Sequence, residues 1–541
     1  MIRVRDPEFK YSPPDPQVSN GLFAGRCELE AEGADFIELF DGRSESFFCL
    51  TYQDCLDIII HMRTPTPLQE KTPFAIDEKP MEGLLTAQAG LAAFSRAFRS
   101  LGAPKLCDDR VRIKERARGF RVGQQVESLV MLHVAGGDCM QDMERLRQDN
   151  GVSKMLGYSA PSQRCVADFL ESFHDPNQVA YAQAEAERQQ RLSFIPKESA
   201  ALSALGEVGQ EMVRVIAGRS KQPPTRATVD QDATIIESRK REAKWTYEGT
   251  RGYQPMVAMW AETELILADE FRDGNVPALS SPLTCAKHAF AALPQTVTEY
   301  YFRGDSACHE SGLVNWLRNP EREDGPKGLI EFAVSARMSE DLGKALKAVP
   351  EANWTTFGND SDGTLRQWAE VDFVPAEKVE KKGIEPLRYV GLRLLKPQGE
   401  LFDDGHDRRH YAILSNRWNE DGGALITWHR QKAGTIEHVH DELKNGLGGG
   451  QLPSAQFGAN AAWFRITCMA YNILVAVKQA WPDETLHNAK AKRVRFVIVN
   501  VAGRFSRDRR KISLHLAAGI EWIKRFVKLF ARFPLATQPT G

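Results

Sequence analysis

The order of strand and helix patterns between residues 226 and 336 constrains the fold of this chain more than any other feature of the sequence. Three strand-like segments come first, and a helix, a strand, a second helix and a last strand follow them. In chain order the segments are Arg226–Asp232, Tyr253–Trp260, Glu264–Ala268, Cys285–Ala292, Val297–Phe302, Glu310–Leu317 and Leu329–Ala336. We therefore predict an α/β domain in which helices connect the later strands of a mixed sheet.

The sequence on both sides of this domain predicts further structure. Apolar residues recur at helical spacing from 81 to 175, and strand patterns with turns run from about 350 to 430, the last at Ala424–His429. Helical patterns return at Ala433–Gly446 and Phe457–Val477. The predicted fold class is α/β: an RNase H-like mixed sheet with helices, interrupted by a β-rich insertion and preceded by an all-helical N-terminal module.

Domain boundaries are predicted where these patterns change. The stretch from Gly218 to Thr225 is polar and contains two prolines, and the segment between Ala135 and Ser162 is similar to a helix-turn-helix layout. We predict a region of unknown role at 1–80, a helical DNA-binding module at 81–217, the two parts of the core at 218–348 and 432–485, the insertion at 349–431, and a basic helical tail at 486–541.

Composition excludes several classes of protein. A chain of 541 residues is long enough for several domains, and no run of about 18 apolar residues is present that could cross a membrane. The first residues are charged and contain prolines where a secretory signal would be apolar, so we expect a cytoplasmic protein. The nine cysteines form no Cys-x-x-Cys pair, which disfavours a disulfide framework and a thiolate zinc site.

Charged residues are unevenly distributed along the chain, although the net charge is close to zero. The chain has 70 basic and 72 acidic residues, but the stretch 492–532 has twelve Lys or Arg against Asp508 and Glu521. Such a stretch is typical of a surface that binds a polyanion. A plain surface helix is the alternative, because the same stretch contains an apolar stripe of Ile523, Phe526, Val527 and Phe530.

Acidic residues stand at the ends of two predicted strands. Asp230 and Asp232 alternate near the end of the first strand, and Asp305 follows Arg303 and Gly304 at the end of the fourth. Asp is a poor strand residue, so the pair at 230 and 232 needs a reason, and either could be a metal ligand because both point the same way. A turn cap is the ordinary alternative at each position. If the two strands are neighbours, the side chains converge on one hard cation.

A third acid lies on the helix that follows the insertion. At about 100° per residue, Glu437, Asp441 and Lys444 share one face, whereas Glu442 is rotated from Glu437 by about 140°. Glu437 and Lys444 could therefore approach one ligand together. A solvated charged face is the alternative.

Several blocks of sequence in one order resemble a known family. The blocks are Ala135–Asp138 with Asp142 and Arg145–Asp149, Asp230–Thr234, Arg303–Ser306, Glu437 with Lys444–Asn445, and Gly458–Phe464 with Ala470–Asn472. Together they resemble bacterial insertion-sequence transposases of the DDE class, in the group whose third acid lies in a Tyr-x2-Arg-x3-Glu-x6-Lys pattern and whose core carries a β insertion. The resemblance covers about two thirds of the chain.

The resemblance implies a set of site residues. It assigns catalysis and metal binding to Asp232, rather than Asp230, and to Asp305 and Glu437. It implies DNA contacts for Lys444, and for His429 and Lys432, which stand near the Tyr and Arg positions of the pattern with one extra residue before Glu437. The implied cofactor is Mg2+ or Mn2+ held by the three carboxylates.

The resemblance also implies a reaction and its partners. Water activated at the metal site would cut the ends of the element, and the freed 3'-hydroxyl would attack target DNA. The expected partners are double-stranded DNA with terminal inverted repeats, target DNA and a second copy of the chain in a homodimer on DNA, at the nucleoid and without a membrane. A metal-dependent DNA nuclease that does not join strands, or an inactive DNA-binding protein, is the alternative.

Overall fold

The structure is a computed structural model that describes residues 76, 79, 81–113, 119–375, 386–508 and 511–535, and the backbone of two strands near the N-terminus. The chain forms two compact units, Met1–Met81 and Glu82–Gly541. In the first unit, strands β1 (Phe36–Phe40) and β2 (Phe47–Thr51) pair antiparallel, with Phe36 opposite Thr51.

The second unit begins with a short strand, β3 (Leu84–Thr86), and a run of helices. Amphipathic patterns form these helices: Leu91, Phe94 and Phe98 are buried along the first, and the Ser199 side chain caps the last by accepting from the Leu202 N–H. The helices are α1 (Leu91–Ser100), α2 (Ala103–Arg110), α3 (Val122–Ala135), α4 (Met143–Gln148), α5 (Asn150–Leu156), α6 (Gln163–Glu171), α7 (Pro176–Arg188) and α8 (Ala200–Gly218).

A nine-stranded mixed sheet forms the centre of the second unit. Its first five strands in the chain are β4 (Arg226–Ala233), β8 (Met256–Trp260), β9 (Leu265–Glu270), β10 (Glu299–Gly304) and β11 (Ile330–Ser335). They lie in the order β9-β8-β4-β10-β11, with β4, β10 and β11 parallel and β8 antiparallel to its neighbours. This order confirms the predicted RNase H-like arrangement.

Short elements connect these strands. Between β4 and β8 the chain makes a small sheet of β5 (Ile236–Glu237), β6 (Lys244–Trp245) and β7 (Arg251–Tyr253), in the order β5-β7-β6. Helix α9 (Pro282–Ala292) precedes β10, α10 (Ser311–Arg318) precedes β11, and α11 (Glu340–Ala348) follows β11. Both predicted connecting helices are therefore present.

The β-rich segment extends the central sheet and does not form a layer of its own. Strands β12 (Thr355–Asn359), β13 (Leu365–Val371), β14 (Arg388–Leu395) and β15 (Arg408–Ser415) continue the order, and β15 pairs antiparallel with β11, where Val334 faces Leu414. This pairing satisfies the N–H and C=O groups that an edge strand at β11 would leave open. The alternating sequence pattern predicts where these strands lie in the chain, but it does not predict which strands pair.

The predicted strand at Ala424–His429 is wrong, because this segment begins helix α12 (Gly422–Asp441). The Asp421 side chain caps the helix by accepting from the Ala424 N–H at 2.9 Å. Leu425 and Ile426 pack with Val390 and Ile413 in a small apolar cluster, which fixes the helix against the sheet. The helix continues into a π-helical turn at Glu442–Gly446.

Helix α13 (Phe457–Ala480) is buried along most of its length, as its apolar composition predicts. It packs against α3, α8 and β9, so the N-terminal helices share one hydrophobic core with the sheet, containing Phe94, Phe302 and Trp463. The helices at 81–217 are therefore not packed as a separate module.

The C-terminal segment is only partly helical. After α14 (Ala491–Val494), strands β16 (Gly503–Asp508) and β17 (Lys511–Leu516) form a hairpin, and β16 also pairs with β3. Helix α15 (Ile520–Ala531) follows, with Phe526 and Leu529 buried. The prediction of a helical tail missed the hairpin, because its alternation of polar and apolar residues is short. None of the helices in the described part of the chain is long and apolar enough to span a membrane.

Candidate active site

Asp232 and Asp305 lie at the same edge of the sheet. Asp232 is near the end of β4, and Asp305 directly follows β10, the parallel neighbour of β4. The register pairs Gly304 with Gln231, so each carboxylate comes one residue later on its own strand. Asp305 also caps a short turn by accepting from the Ala307 N–H at 3.1 Å. The parallel strands thus bring the two predicted aspartates together.

A buried lysine lies between the aspartates and helix α12. Lys432 Nζ donates to Asp232 Oδ2 at 2.8 Å, and the side chains are 9% and 20% exposed. Burial alone would lower the pKa of Lys432, but the charges of Asp232 and Asp305 raise it above its ordinary value. Burial and the charge of Asp232 raise the pKa of Asp305, and Lys432 limits that rise. The site therefore holds a protonated amine beside two acids.

Asp230 has a different place from Asp232. It is fully buried, and its oxygens accept from Arg303 Nε at 2.6 Å and Nη2 at 2.8 Å. The Thr435 hydroxyl of α12 also donates to Asp230 Oδ2 at 2.6 Å. Asp230 is thus enclosed by a guanidinium and a hydroxyl, whereas the side chain of Asp232 is 20% exposed, so Asp232 is the more accessible acid of this pair.

His429 contacts the backbone next to Asp305. Its Nε2 lies 2.9 Å from the Gly304 carbonyl oxygen, and burial lowers its pKa to about 4, so the ring is neutral and donates. His429 and Lys432 both lie inside the fold, bonded to groups of the protein. These bonds give both side chains protein partners inside the fold, and the DNA contacts predicted for them stay predictions.

Glu437 lies on an exposed face of α12. It lies five positions after Lys432, a rotation of about 140° around the helix. Its side chain forms no hydrogen bond or ion pair with the described residues. Lys444, two turns further on the same face, is half-buried, and its Nζ lies 3.4 Å from the carbonyl oxygen of Ile235, three residues after Asp232. The stripe of Glu437 and Lys444 therefore borders the end of β4, at the rim of the site.

The donor set fits a hard divalent cation. Carboxylate oxygens are the ligands that such ions prefer, and a buried ammonium already offsets their charge. The carboxylate oxygens of the three predicted acids do not all lie within 4.8 Å of one another. Among the described residues, the potential ligand atoms of Asp138, Cys139 and Asp142, near the start of α4, do lie that close together. Carboxylates that would hold two ions about 4 Å apart need not all lie that close to one another.

The sequence did not reveal the network behind the site. Arg303 and Thr435 fix Asp230, and Gln431 Oε1 accepts from Arg303 Nη1 at 3.2 Å. Lys432 was expected at DNA and not at an acid. One feature of the sequence could have revealed this network. Two acids on one side of a buried strand require at least one cationic partner, and Arg303 lies one residue before the end of the strand that leads to Asp305.

Comparisons with known proteins give one family match. Residues 81–538 match the family described as "Transposase DDE domain group 1". The chain is similar to a solved structure titled "Cryo-EM structure of piggyBac transposase synaptic complex with hairpin DNA (SNHP)", with a TM-score of 0.38 and 10% identity over 75% of this chain and 78% of that one. No curated protein matches the sequence.

Proposed function

This chain belongs to the transposase DDE domain group 1 family, and on that premise we propose that Asp232, Asp305 and Glu437 bind the divalent cations with which it cuts and joins DNA. A DDE transposase is a metal-dependent enzyme that acts on DNA. The observation that carries the assignment is the placement of Asp232 and Asp305 at the ends of adjacent parallel strands, beside the buried ammonium of Lys432.

The proposed ions are Mg2+ or Mn2+. The carboxylates provide only oxygen ligands, which suits these ions better than zinc or copper. When bound, two such ions activate a nucleophile and stabilise the leaving oxyanion of a phosphodiester. Asp232 would be one of the ligands, since its carboxylate is partly exposed near the end of β4 and Lys432 contacts only its Oδ2.

Glu437 is the proposed third acid. The resemblance assigns it this role, and its stripe on α12 with Lys444 borders the end of β4. Its exposed carboxylate would provide a further oxygen ligand for a divalent ion at the rim. Because the Glu437 side chain is exposed, it would be free to reach an ion when DNA is bound.

Lys432 and His429 have a positioning role in this proposal. Lys432 balances the two aspartates, and His429 fixes the backbone that carries Asp305. Lys444 remains a proposed contact to a DNA phosphate, since a fixed cation near the rim offsets phosphate charge without supplying a proton.

The proposed partners are double-stranded DNA with terminal inverted repeats, a target DNA, and a second copy of the chain that holds the other end. The basic stretch 492–532 supports binding to the DNA backbone, because most of its Lys and Arg side chains are exposed. An enzyme that acts on chromosomal DNA works at the nucleoid, and we propose this cytoplasmic location.

Asp305→Asn tests the proposal. With Mg2+ present, we expect this variant to lose cleavage of element ends and to keep the binding of end DNA, because it removes a metal ligand but no basic residue. Asp168→Asn, on the exposed side of α6, is the matched control and should cleave normally. Cleavage retained by Asp305→Asn would refute the assignment.

A pre-cut end separates a transposase from a plain nuclease. Offered such an end and a target plasmid, the wild-type protein should produce a joined product in Mg2+. A nuclease would cut end DNA in the first assay and give no joined product in this one.

A further inference from the structure

The small sheet of β5, β6 and β7, residues 234–255, lies at the end of β4 next to Asp232. We call this segment the hairpin. The chain leaves β4 at Ala233, forms β5, β6 and β7, and returns as β8, in which Val257 pairs with Asp232. Thr234 N–H donates to the Pro255 carbonyl at 3.0 Å, which closes the base of this excursion. The hairpin therefore begins and ends beside a proposed metal ligand.

Two large aromatic side chains are exposed at its tip. Trp245 is 60% exposed and Tyr247 is 77% exposed, while Thr246 between them is buried. Trp245 ends β6, and Tyr247 follows in the turn that the Gly249 N–H closes by donating to the Thr246 carbonyl at 3.1 Å, so both rings lie on the same tip, two residues apart. Two adjacent exposed aromatics on an ordered tip are unusual in a protein surface and indicate a partner.

The tip is rigid. Thr246 N–H donates to the Thr250 carbonyl at 2.7 Å, and Gly249 closes the turn with a φ of +79°. Gly274 packs so closely on the hairpin that a side chain there would meet the Lys244 carbonyl oxygen at 2.7 Å. The rings are therefore held in place before any partner binds, which reduces the entropy lost on binding.

The charge around the rings favours a polyanion. The hairpin carries five basic residues against three acidic ones; the basic residues are Arg239, Lys240, Arg241, Lys244 and Arg251, and the acidic ones are Glu237, Glu242 and Glu248. Arg251 lies over the Trp245 ring, 5.2 Å from its centroid. Burial and Glu248 raise the pKa of Tyr247, and the charges of Asp232 and Asp305 add to that rise, so its hydroxyl is within electrostatic reach of both acids.

We propose that Trp245 and Tyr247 form a stacking surface for an unpaired base of the DNA strand beside the phosphate that is cut. The inference rests on the proposed function, because it places a DNA strand at Asp232. Aromatic faces bind bases of any sequence, and the surrounding guanidinium and ammonium groups bind the phosphates on either side. The hairpin then fixes the strand in register with the acids.

The test uses a DNA duplex with a single-stranded overhang that carries 2-aminopurine, a base whose fluorescence falls when it stacks. No metal is added, so no cleavage is needed. The wild-type protein should quench the fluorescence, and Trp245→Ala and Tyr247→Ala should each weaken binding of the overhang roughly tenfold and reduce the quench. Tyr247→Phe should restore both, since it keeps the ring.

Tyr181→Ala is the matched control, because Tyr181 on α7 is 71% exposed and far along the chain from the hairpin. It should behave as wild type. Full quenching by the Trp245 and Tyr247 alanine variants would overturn the proposal. It would also be overturned if these variants quenched as the wild type does but had a different oligomeric mass in solution, because the rings would then contact another protein chain. Failure of Asp305→Asn to abolish cleavage would instead refute the proposed function, independently of this readout.

Discussion

Asp230 and Asp232 show how neighbouring residues of one type acquire different roles. The sequence indicates that the pair needs an explanation, because both face one side of a buried strand. It does not indicate which acid is free, since the deciding partners Arg303 and Thr435 lie 73 and 205 residues away in the chain. The resemblance favoured Asp232, and the buried ion pair of Asp230 supports the same choice.

Asp230→Asn should therefore damage the fold, and Asp232→Asn should damage activity. Removing the carboxylate of Asp230 leaves Arg303 buried without its charge partner, which costs about 3–5 kcal/mol of the free energy of unfolding. Asp232→Asn should cost much less, because Asp305 remains near Lys432. Urea denaturation of both variants measures the difference; equal stability of the two would contradict these roles.

Lys432→Met should make the protein respond more strongly to metal. Without the ammonium, Asp232 and Asp305 repel each other, and a divalent cation relieves that repulsion. We expect Mn2+ to raise the melting temperature of this variant more than that of the wild type. Lys444→Met, from the rim, should show the wild-type response; an equal or smaller shift in Lys432→Met would show that the lysine does not balance the acids.

At the scale of elements, local patterns predicted strands and helices better than their partners. The order of β4, β8, β9, β10 and β11 with their two helices was predicted correctly, because each of these elements has its own periodicity, whereas the short strands β5 and β6 were not predicted. The pairing of β15 with β11 was not, since hydrogen bonding between distant strands leaves no local pattern. The start of α12 was predicted as a strand because β-rich sequence precedes it, whereas Asp421 provides a helix cap that could have shown the boundary.

Helix α3 is joined to α13 by a contact that depends on pH. His133 is fully buried, with its ring at the edge of Trp463 and centroids 4.5 Å apart, and burial lowers its pKa to about 3. The unfolded chain binds a proton near pH 6.5 and the folded one does not, so stability is full above pH 6.5 and falls as the pH drops.

The expected loss from His133 is up to about 1.4 kcal/mol per pH unit below 6.5. His133→Gln cannot take up this proton, so the difference in unfolding free energy between wild type and variant should shrink from pH 7 to pH 5. Urea denaturation at each pH measures it. A difference that does not change with pH would show that His133 is charged or solvated in the fold.

At the scale of the whole molecule, the net charge of −2 is the sum of uneven contributions, and the stretch 492–532 is strongly basic. The sequence predicted the basic stretch at 492–532, and most of its described basic residues lie on α14, on β16 and β17, and on α15. The apolar stripe of α15 is also real, with Phe526 buried in the core. The two interpretations of this stretch are therefore compatible, because one face packs and the other carries charge.

DNA binding should depend steeply on salt through this surface. Arg504, Arg507 and Lys511 are exposed on β16 and β17, and changing all three to Gln should lower the slope of log affinity against log salt by about 0.9 for each phosphate that the protein no longer neutralises. Fluorescence anisotropy with a duplex from 50 to 200 mM salt, about the range in which such slopes are measured, provides the test. An unchanged slope would place the DNA on another surface.

Iron-directed cleavage of the backbone tests the central claim most directly. Fe2+ that replaces Mg2+ in a protein–DNA complex generates radicals with ascorbate and peroxide, and these cut the chain next to the bound ion. The account predicts cuts beside Asp232, Asp305 and Glu437, and their loss in Asp305→Asn. Cuts confined to Asp138–Asp142, the other acidic group of the described chain, or absent beside Glu437, would contradict it.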